Sequence, residues 1–151
     1  MIVKATISDA KTLTEIALKS KAFWGYSHDL IESWREDLTV TSTMILNCTV
    51  FKCMVDAKIV GFYVLNPPKE TATIVLEMLF VLPNFIGKGI GKQLLQHSFK
   101  KALKLNVKTM TLLADPNAVS FYKKQGFVSI DKKESTIVGR FLPVMKKDLT
   151  Q

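Results

Sequence analysis

Residues Gly87-Lys88-Gly89-Ile90-Gly91-Lys92 follow an apolar run ending Leu79-Phe80-Val81-Leu82 and lead into a segment of helical periodicity. Glycines let backbone approach an oxyanion without interference from Cβ. The unpaired N–H groups of a helix start, at the positive end of its dipole, favour negative charge. The junction therefore predicts an anion-binding turn suited to a phosphate ester, with Lys88 and Lys92 adding positive charge.

Two familiar glycine loops do not fit. With Gly91-Lys92 as the Gly-Lys pair of a Walker A loop, the first glycine position holds Ile86 and the closing Ser/Thr position holds Gln93. A dinucleotide fingerprint begun at Gly87 would need its third glycine at Lys92 and an acidic residue near position 111. Ten residues before the turn, Glu77 stands inside an otherwise apolar strand. Burial in such a place raises a carboxyl pKa by desolvation, which suits a general base working near neutrality. The alternative is a Glu on the solvent face of that strand or paired with a lysine.

Gly89 and Gly91 fall on the two glycines of motif A, Gln/Arg-x-x-Gly-x-Gly/Ala, and the junction resembles that motif of the GNAT superfamily of acyl-CoA-dependent N-acetyltransferases. About 25 residues on, Asp115-Pro116-Asn117-Ala118-Val119-Ser120-Phe121-Tyr122-Lys123-Lys124-Gln125-Gly126-Phe127 resembles motif B, in which an Asn opens a short helix ending Tyr-x-x-x-Gly-Phe. Two such segments in this order and spacing are specific where one would not be. The resemblance runs from Ile2 to about Leu149, with one departure: Ile86 stands where the family has Arg or Gln and offers no side-chain hydrogen bond to a pyrophosphate.

The resemblance implies acetyl-CoA as cofactor and a primary amine, on a small molecule or a peptide, as acceptor, with direct attack in a ternary complex. A non-catalytic acyl-CoA-binding domain of the same fold is the alternative, and Ile86 is its main support. By the same resemblance Glu77 is the base and Tyr122 the acid that protonates the departing thiolate. Backbone at Leu79, Phe80 and Val81 pairs with the pantetheine arm, residues Gly87 to Lys92 hold the pyrophosphate, and Asn117 contacts the pantetheine. Lys124 reaches an adenosine phosphate or is a solvated surface lysine. Trp24 and Tyr26, in the aromatic break Phe23-Trp24-Gly25-Tyr26, border the acceptor pocket or pack as core. Arg140 contacts an acidic part of the acceptor or forms a structural ion pair. A base is needed because a lysine-like amine is only ~0.04% neutral at pH 7, so that its deprotonation costs roughly 4–5 kcal/mol. Many family members are dimers, which leaves a homodimer open here.

With 151 residues, 48% of them hydrophobic, the chain is the size of one domain, 1–151, with a full core. The N-terminus lacks a charged region followed by an apolar one, and no apolar run approaches the roughly 18 residues of a membrane span. The expectation is a soluble, cytoplasmic protein without a membrane partner. Cys48 and Cys53 match neither a zinc knuckle nor a redox pair and read as structural thiols, and His28 and His97 have no ligand-type neighbours, so no metal is expected. The net charge of +8 comes from lysines scattered over several polar faces without interleaved aromatics, which argues against nucleic acid and suits a polyphosphate cofactor.

The elements that must carry these groups follow from periodicity. A short strand at 4–8 passes into a helix capped by Ser8 that buries Ala10, Leu13, Ile16 and Ala17. A second helix begins after Ser27 and buries Leu30, Ile31 and Trp34. From about Met44 the pattern turns to strands, 47–55, 59–65 and 71–81, in an antiparallel meander with a tight turn at Asp56-Ala57-Lys58. The helix after the glycine turn presents Ile90, Leu94, Leu95, Phe99 and Ala102 to the sheet, with His97 packed at the edge of that face, and the next strand, 108–113, is parallel to 71–81. Segments 127–131 and 140–145 close the sheet, Pro143 suggesting an edge or a bulge. The fold class is α/β (α+β): a mixed, mostly antiparallel sheet with helices on both faces, as the GNAT resemblance implies.

Overall fold

A computed structural model describes residues 1–137 and 139–150. Seven strands form one sheet: β1 (Ile2–Lys4), β2 (Thr49–Val55), β3 (Lys58–Leu65), β4 (Thr73–Val81), β5 (Thr109–Leu113), β6 (Val128–Glu134) and β7 (Phe141–Asp148), in the order β1-β2-β3-β4-β5-β7-β6. Every neighbouring pair is antiparallel except β4 and β5, which are parallel. The crossover between those two is the helix that follows the glycine turn, as a parallel pair requires. The β2–β3 hairpin turns on Asp56 and Ala57, both left-handed at φ 50° and 62°.

Helices cover both faces. On one, α1 (Ala10–Ala22), α2 (His28–Ser33) and α3 (Ser42–Asn47) bury Leu13, Ile16, Ile31 and Ile45 against Phe62, Val64 and Met78. On the other, α4 (Ile90–Lys104) and α5 (Val119–Lys124) bury Leu94, Leu95, Ala102 and Tyr122 against Tyr63, Leu65, Ile74 and Met110. The apolar positions of α4 recur every three to four residues, so one stripe faces the sheet and the lysines face water. His97 sits at the edge of that stripe, its Nδ1 2.7 Å from the Tyr63 hydroxyl and its ring against Phe51.

Several sequence expectations need correction. The Met44–Asn47 stretch is helical, because the Thr41 hydroxyl accepts from the Met44 amide at 3.1 Å and caps α3; a short apolar run is ambiguous between helix and strand. The first helical segment is entered through Thr6, not Ser8: the Thr6 amide donates to Asp9 Oδ2 at 2.8 Å, and a 3-10 turn at Ile7–Asp9 precedes α1. Leu30 is half-buried, and Trp34 is buried just past the end of α2. Pro143 is not on an edge, since β7 lies between β5 and β6. In an antiparallel strand a residue's N–H and C=O point the same way, so the missing donor of Pro143 faces past the end of β5. There its carbonyl takes the last bond, from the Ala114 amide at 2.9 Å. The bulge is on β6 instead, at Ile130.

Candidate active site

Strand β4 is where the sheet comes apart. It pairs with β3 from Leu76 to Val81, but with β5 only at Thr73, Ile74 and Val75, so the β5-facing edge of Leu76 to Val81 is unpaired. The β3 register explains the change of course: Val64 opposes Met78 and Leu65 opposes Leu76, which leaves Glu77 as the extra residue of a β-bulge. A bulge bends its strand, increases its twist and re-aims a side chain. The result is a gap between β4 and β5 with Glu77 at its lip.

A cleft of about 500 Å³ occupies the α4–α5 side of the gap. Leu79, Phe80 and Val81 form one wall, Gly87, Gly89, Gly91 and Lys92 its upper end, and Asn117, Phe121 and Tyr122 the opposite wall. Gly87 and Gly89 both have φ +82°, and a Cβ at either would meet nothing within 4 Å, so these glycines are required by conformation and leave open space above the turn. None of the amides of residues 87–92 donates to a backbone carbonyl, the first bond of the helix being Gln93 N–H to Gly89 O at 3.0 Å. Unpaired donors at a helix start, four of them on the cleft-lining residues Gly87, Gly89, Gly91 and Lys92, are chemically suited to a phosphate group.

Lys88 and Ile90 do not line the cleft: Lys88 Nζ lies 5.1 Å from the centre of the Phe85 ring, and Ile90 is buried in the core. Lys124 is exposed and outside it, while Gln125 lines it. Ile86 is 38% exposed and lines the cleft with an apolar side chain.

Tyr122 is buried, its ring edge-on to Phe121 and Phe127 at 5.2 and 5.5 Å. Burial pushes its phenol well above the ordinary value, so it carries its proton throughout the physiological range. Glu77 differs from expectation: it is exposed, not desolvated, because the bulge delivers its carboxylate to the open gap rather than to either core. Its Oε2 accepts from Asn66 Nδ2 at 3.0 Å.

A second cavity, of about 680 Å³, lies on the α1–α2 side of the gap and is bordered by Trp34, Met44, Leu142 and Arg140. Glu77, Met78, Phe80, Leu113, Lys21 and Asp115 line both cavities, which therefore meet at the gap. Trp24 lines the first cavity, edge-on to Phe23 at 5.0 Å.

Tyr26 lines neither cavity, because it is held in a polar cluster around Asp115. Asp115 accepts from Lys21 Nζ at 2.5 Å, from the Tyr26 hydroxyl at 3.0 Å, from the Asn117 amide at 2.8 Å and from Asn117 Nδ2 at 2.9 Å. Arg140 donates to the Tyr26 hydroxyl and stands 3.6 Å from Asp115. Arg140 is thus in the structural ion pair that its sequence context left open. Burial acts to raise the Asp115 pKa, but the Lys21 and Asn117 hydrogen bonds and the Lys21 charge outweigh it and hold the carboxyl below the usual range. Burial, followed by the Asp115 charge, pushes the Tyr26 phenol up. Asp115, rather than Asn117, caps the 3-10 turn that leads into α5.

Sequence reasoning missed Lys21, Asp115, Asn66 and Gln125. Asp115 alone carried a local signal, an Asp before Pro at a helix start. Among the described residues no group of His, Cys, Asp or Glu is arranged to hold a metal, and no helix is long and apolar enough to cross a membrane.

The chain is similar to the PaiA N-acetyltransferase of Thermoplasma acidophilum, solved in complex with coenzyme A, at 28% identity and a TM-score of 0.85 over 98% of each chain. It is 26% identical to the peptidyl-lysine N-acetyltransferase YiaC of Escherichia coli over 132 residues, 87% of this chain and 85% of that protein. An uncharacterized N-acetyltransferase, ycf52, of Pyropia yezoensis is 28% identical over 91 residues, 60% of this chain, and the match spans about half of that relative, 52%. The model of the acetyltransferase (GNAT) domain matches residues 9–149, and the chain belongs to the GNAT acetyltransferase family.

Proposed function

We propose that this chain transfers the acetyl group of acetyl-CoA to a primary amine by direct attack in a ternary complex. The observation that carries the reading is the meeting of two cavities at the β4–β5 gap, with Glu77 on the shared boundary and Tyr122 on the wall of one. Amides 87–92 fit the pyrophosphate, and the free edge of β4 at Leu79 to Val81 fits the amides of the pantetheine arm. When bound, acetyl-CoA supplies an acetyl group activated as a thioester. Glu77 takes a proton from the incoming ammonium and leaves the neutral nitrogen that attack requires, directly or through water. Tyr122 holds its proton in the wall of the cleft and would give it to the departing sulfur as the C–S bond breaks, recovering a proton from the nitrogen once the C–N bond has formed, directly or through water. Neither cysteine lines either of these two cavities, which supports direct transfer over a covalent relay.

The acceptor enters from the larger cavity. Its walls carry Glu36, Asp37, Glu77 and Glu134 against Lys133, while Lys21 and Arg140 are committed to Asp115. In a chain of net charge +8 this is a locally acidic surface, and it favours amines that arrive as cations without a carboxylate nearby. A lysyl side chain, the acceptor named for the Escherichia coli relative, is one such amine, and a small diamine is another.

The test is amine-dependent release of CoA from acetyl-CoA across lysyl peptides, diamines and α-amino acids, with Glu77→Gln alongside. Turnover of the first two classes, lowered about 100-fold or more but still measurable in Glu77→Gln while the acetyl-CoA-induced rise in Tm persists, is expected. A rise in Tm without turnover of any amine would support the non-catalytic alternative that Ile86 suggests. No rise at millimolar acetyl-CoA would end both readings.

A further inference from the structure

We infer that Asn66 is the positioning residue for Glu77, and that Cys48 fixes which way its amide points; the inference rests on Glu77 being the base. Glu77 is the extra residue of the β4 bulge, so no cross-strand neighbour on β3 sets its direction. It is also exposed at the junction of two cavities, where an unheld carboxylate samples several rotamers. The side-chain bond it makes among the described residues is the one from Asn66 Nδ2 to Oε2, at 3.0 Å.

Asn66 is itself well placed to hold something. It follows the last residue of β3, and its backbone amide donates at 3.0 Å to the carbonyl of Val75, two residues before Glu77 on β4. Its own Oδ1 accepts from Cys48 Sγ at 3.9 Å. Burial, with the Glu77 charge behind it, pushes the Cys48 thiol up, so the sulfur keeps its proton and remains a donor. Cys48 is anchored in turn by its amide, which donates to the Met44 carbonyl at the end of α3 at 2.8 Å. A flipped amide would put its NH2 against the thiol and its oxygen against a carboxylate, so the two neighbours select one orientation.

The chemistry explains why an amide stands there rather than a lysine. An ammonium would orient Glu77 but neutralise it, and an ion pair is a poor acceptor for a further cation. Asn66 occupies Oε2 without cancelling the charge, which leaves Oε1 for the acceptor ammonium. This separates orientation from charge compensation, which on the neighbouring Asp115 is supplied by Lys21.

Steady-state kinetics of Asn66→Ala, Glu77→Gln and the double variant test this, with Cys48→Ala as a milder disturbance. Asn66→Ala is expected to lower kcat about tenfold, the size of a lost hydrogen bond to a charged group, with the KM for acetyl-CoA and the acetyl-CoA-induced Tm rise unchanged. In the Glu77→Gln background the same change should have no further effect, because the group it positions is gone. Cys48→Ala should cost roughly two- to threefold in kcat by releasing the amide to flip. Wild-type kcat in Asn66→Ala beside a strongly impaired Glu77→Gln would overturn the inference and leave the base standing. An equal loss in the Glu77→Gln background would do the same by exposing a general structural role. Full activity of Glu77→Gln would overturn the base and, with it, the role given to Asn66.

Discussion

Replacing Asp115 by Asn keeps the shape of the side chain and removes the charge on which four segments converge. The carboxylate is 10% exposed and sits 2.5 Å from Lys21 and 3.6 Å from Arg140, each 18% exposed. Breaking a buried ion pair by removing one partner costs about 3–5 kcal/mol. The partial exposure of both cations lets water screen them once stranded, which lowers the expectation to about 2–3 kcal/mol, or roughly 5–10 °C in Tm for a chain of this size. Thermal melts at neutral pH measure the first part, and Lys21→Met added to Asp115→Asn should recover some of the loss, since one stranded cation is then gone. Urea titrations at falling pH measure the second. A carboxylate whose folded pKa is lowered contributes its full stability above the ordinary carboxyl range and loses it as pH falls through the lowered value. The gap between wild type and Asp115→Asn should therefore be widest near neutrality and narrow below about pH 4. A loss of under about 2 °C at neutral pH, or a gap that does not change on acidification, would refute the reading of Asp115 as the buried charge that holds Lys21, Tyr26 and Arg140 in place.

Three further outcomes follow from individual contacts. Ile86→Arg places a guanidinium beside the unpaired amides of the glycine turn, and calorimetry should show CoA bound about three- to tenfold tighter, with a steeper dependence on salt. Gly61→Ala would bring a Cβ to 2.9 Å from the Phe80 carbonyl oxygen and 3.0 Å from Leu94 Cδ1, so denaturant titration should show a loss of about 2 kcal/mol, and an unchanged midpoint would mean that β3 and β4 give way easily. Tyr122→Phe retains the ring packing and removes the proton, so kcat should fall about 100-fold while CoA affinity stays the same; equal loss of both would mark Tyr122 as a binding residue instead.

What could be read from the sequence was local chemistry at fixed offsets. Gly87 and Gly89 are informative because only glycine gives open space and a left-handed φ where an anion must approach, and Tyr122 because its helix and the following Gly126-Phe127 turn are one contiguous segment. The crossover from β4 through α4 to β5 was legible because the helix shows a 3.6-residue stripe between two apolar runs. What the sequence hid was set by pairing between distant segments. Pro143 gave no hint that β6 would add outside β7, since strand order is not written in chain order. Lys21, Tyr26, Asp115 and Arg140 come from positions up to 119 residues apart and share no spacing rule, so the cluster could not be foreseen from any one of them.

Glu77 joins the two cases, because its type was legible and its setting was not. Along β4, Ile74 and Leu76 belong to the core under α4, whereas Met78 and Phe80 belong with the core under α1. Strict alternation would put all four on one face, so the face changes between Leu76 and Met78, where the β3 register skips a residue. In an unbroken strand position 77 would point into the core under α1, where an unpaired carboxylate would be costly. As the extra residue it belongs to neither face, and the same kink carries β4 away from β5 at the point where two cavities meet. The acid in the apolar run and the opening of the sheet thus have one cause: the residue that splits the strands is also the residue delivered into the split.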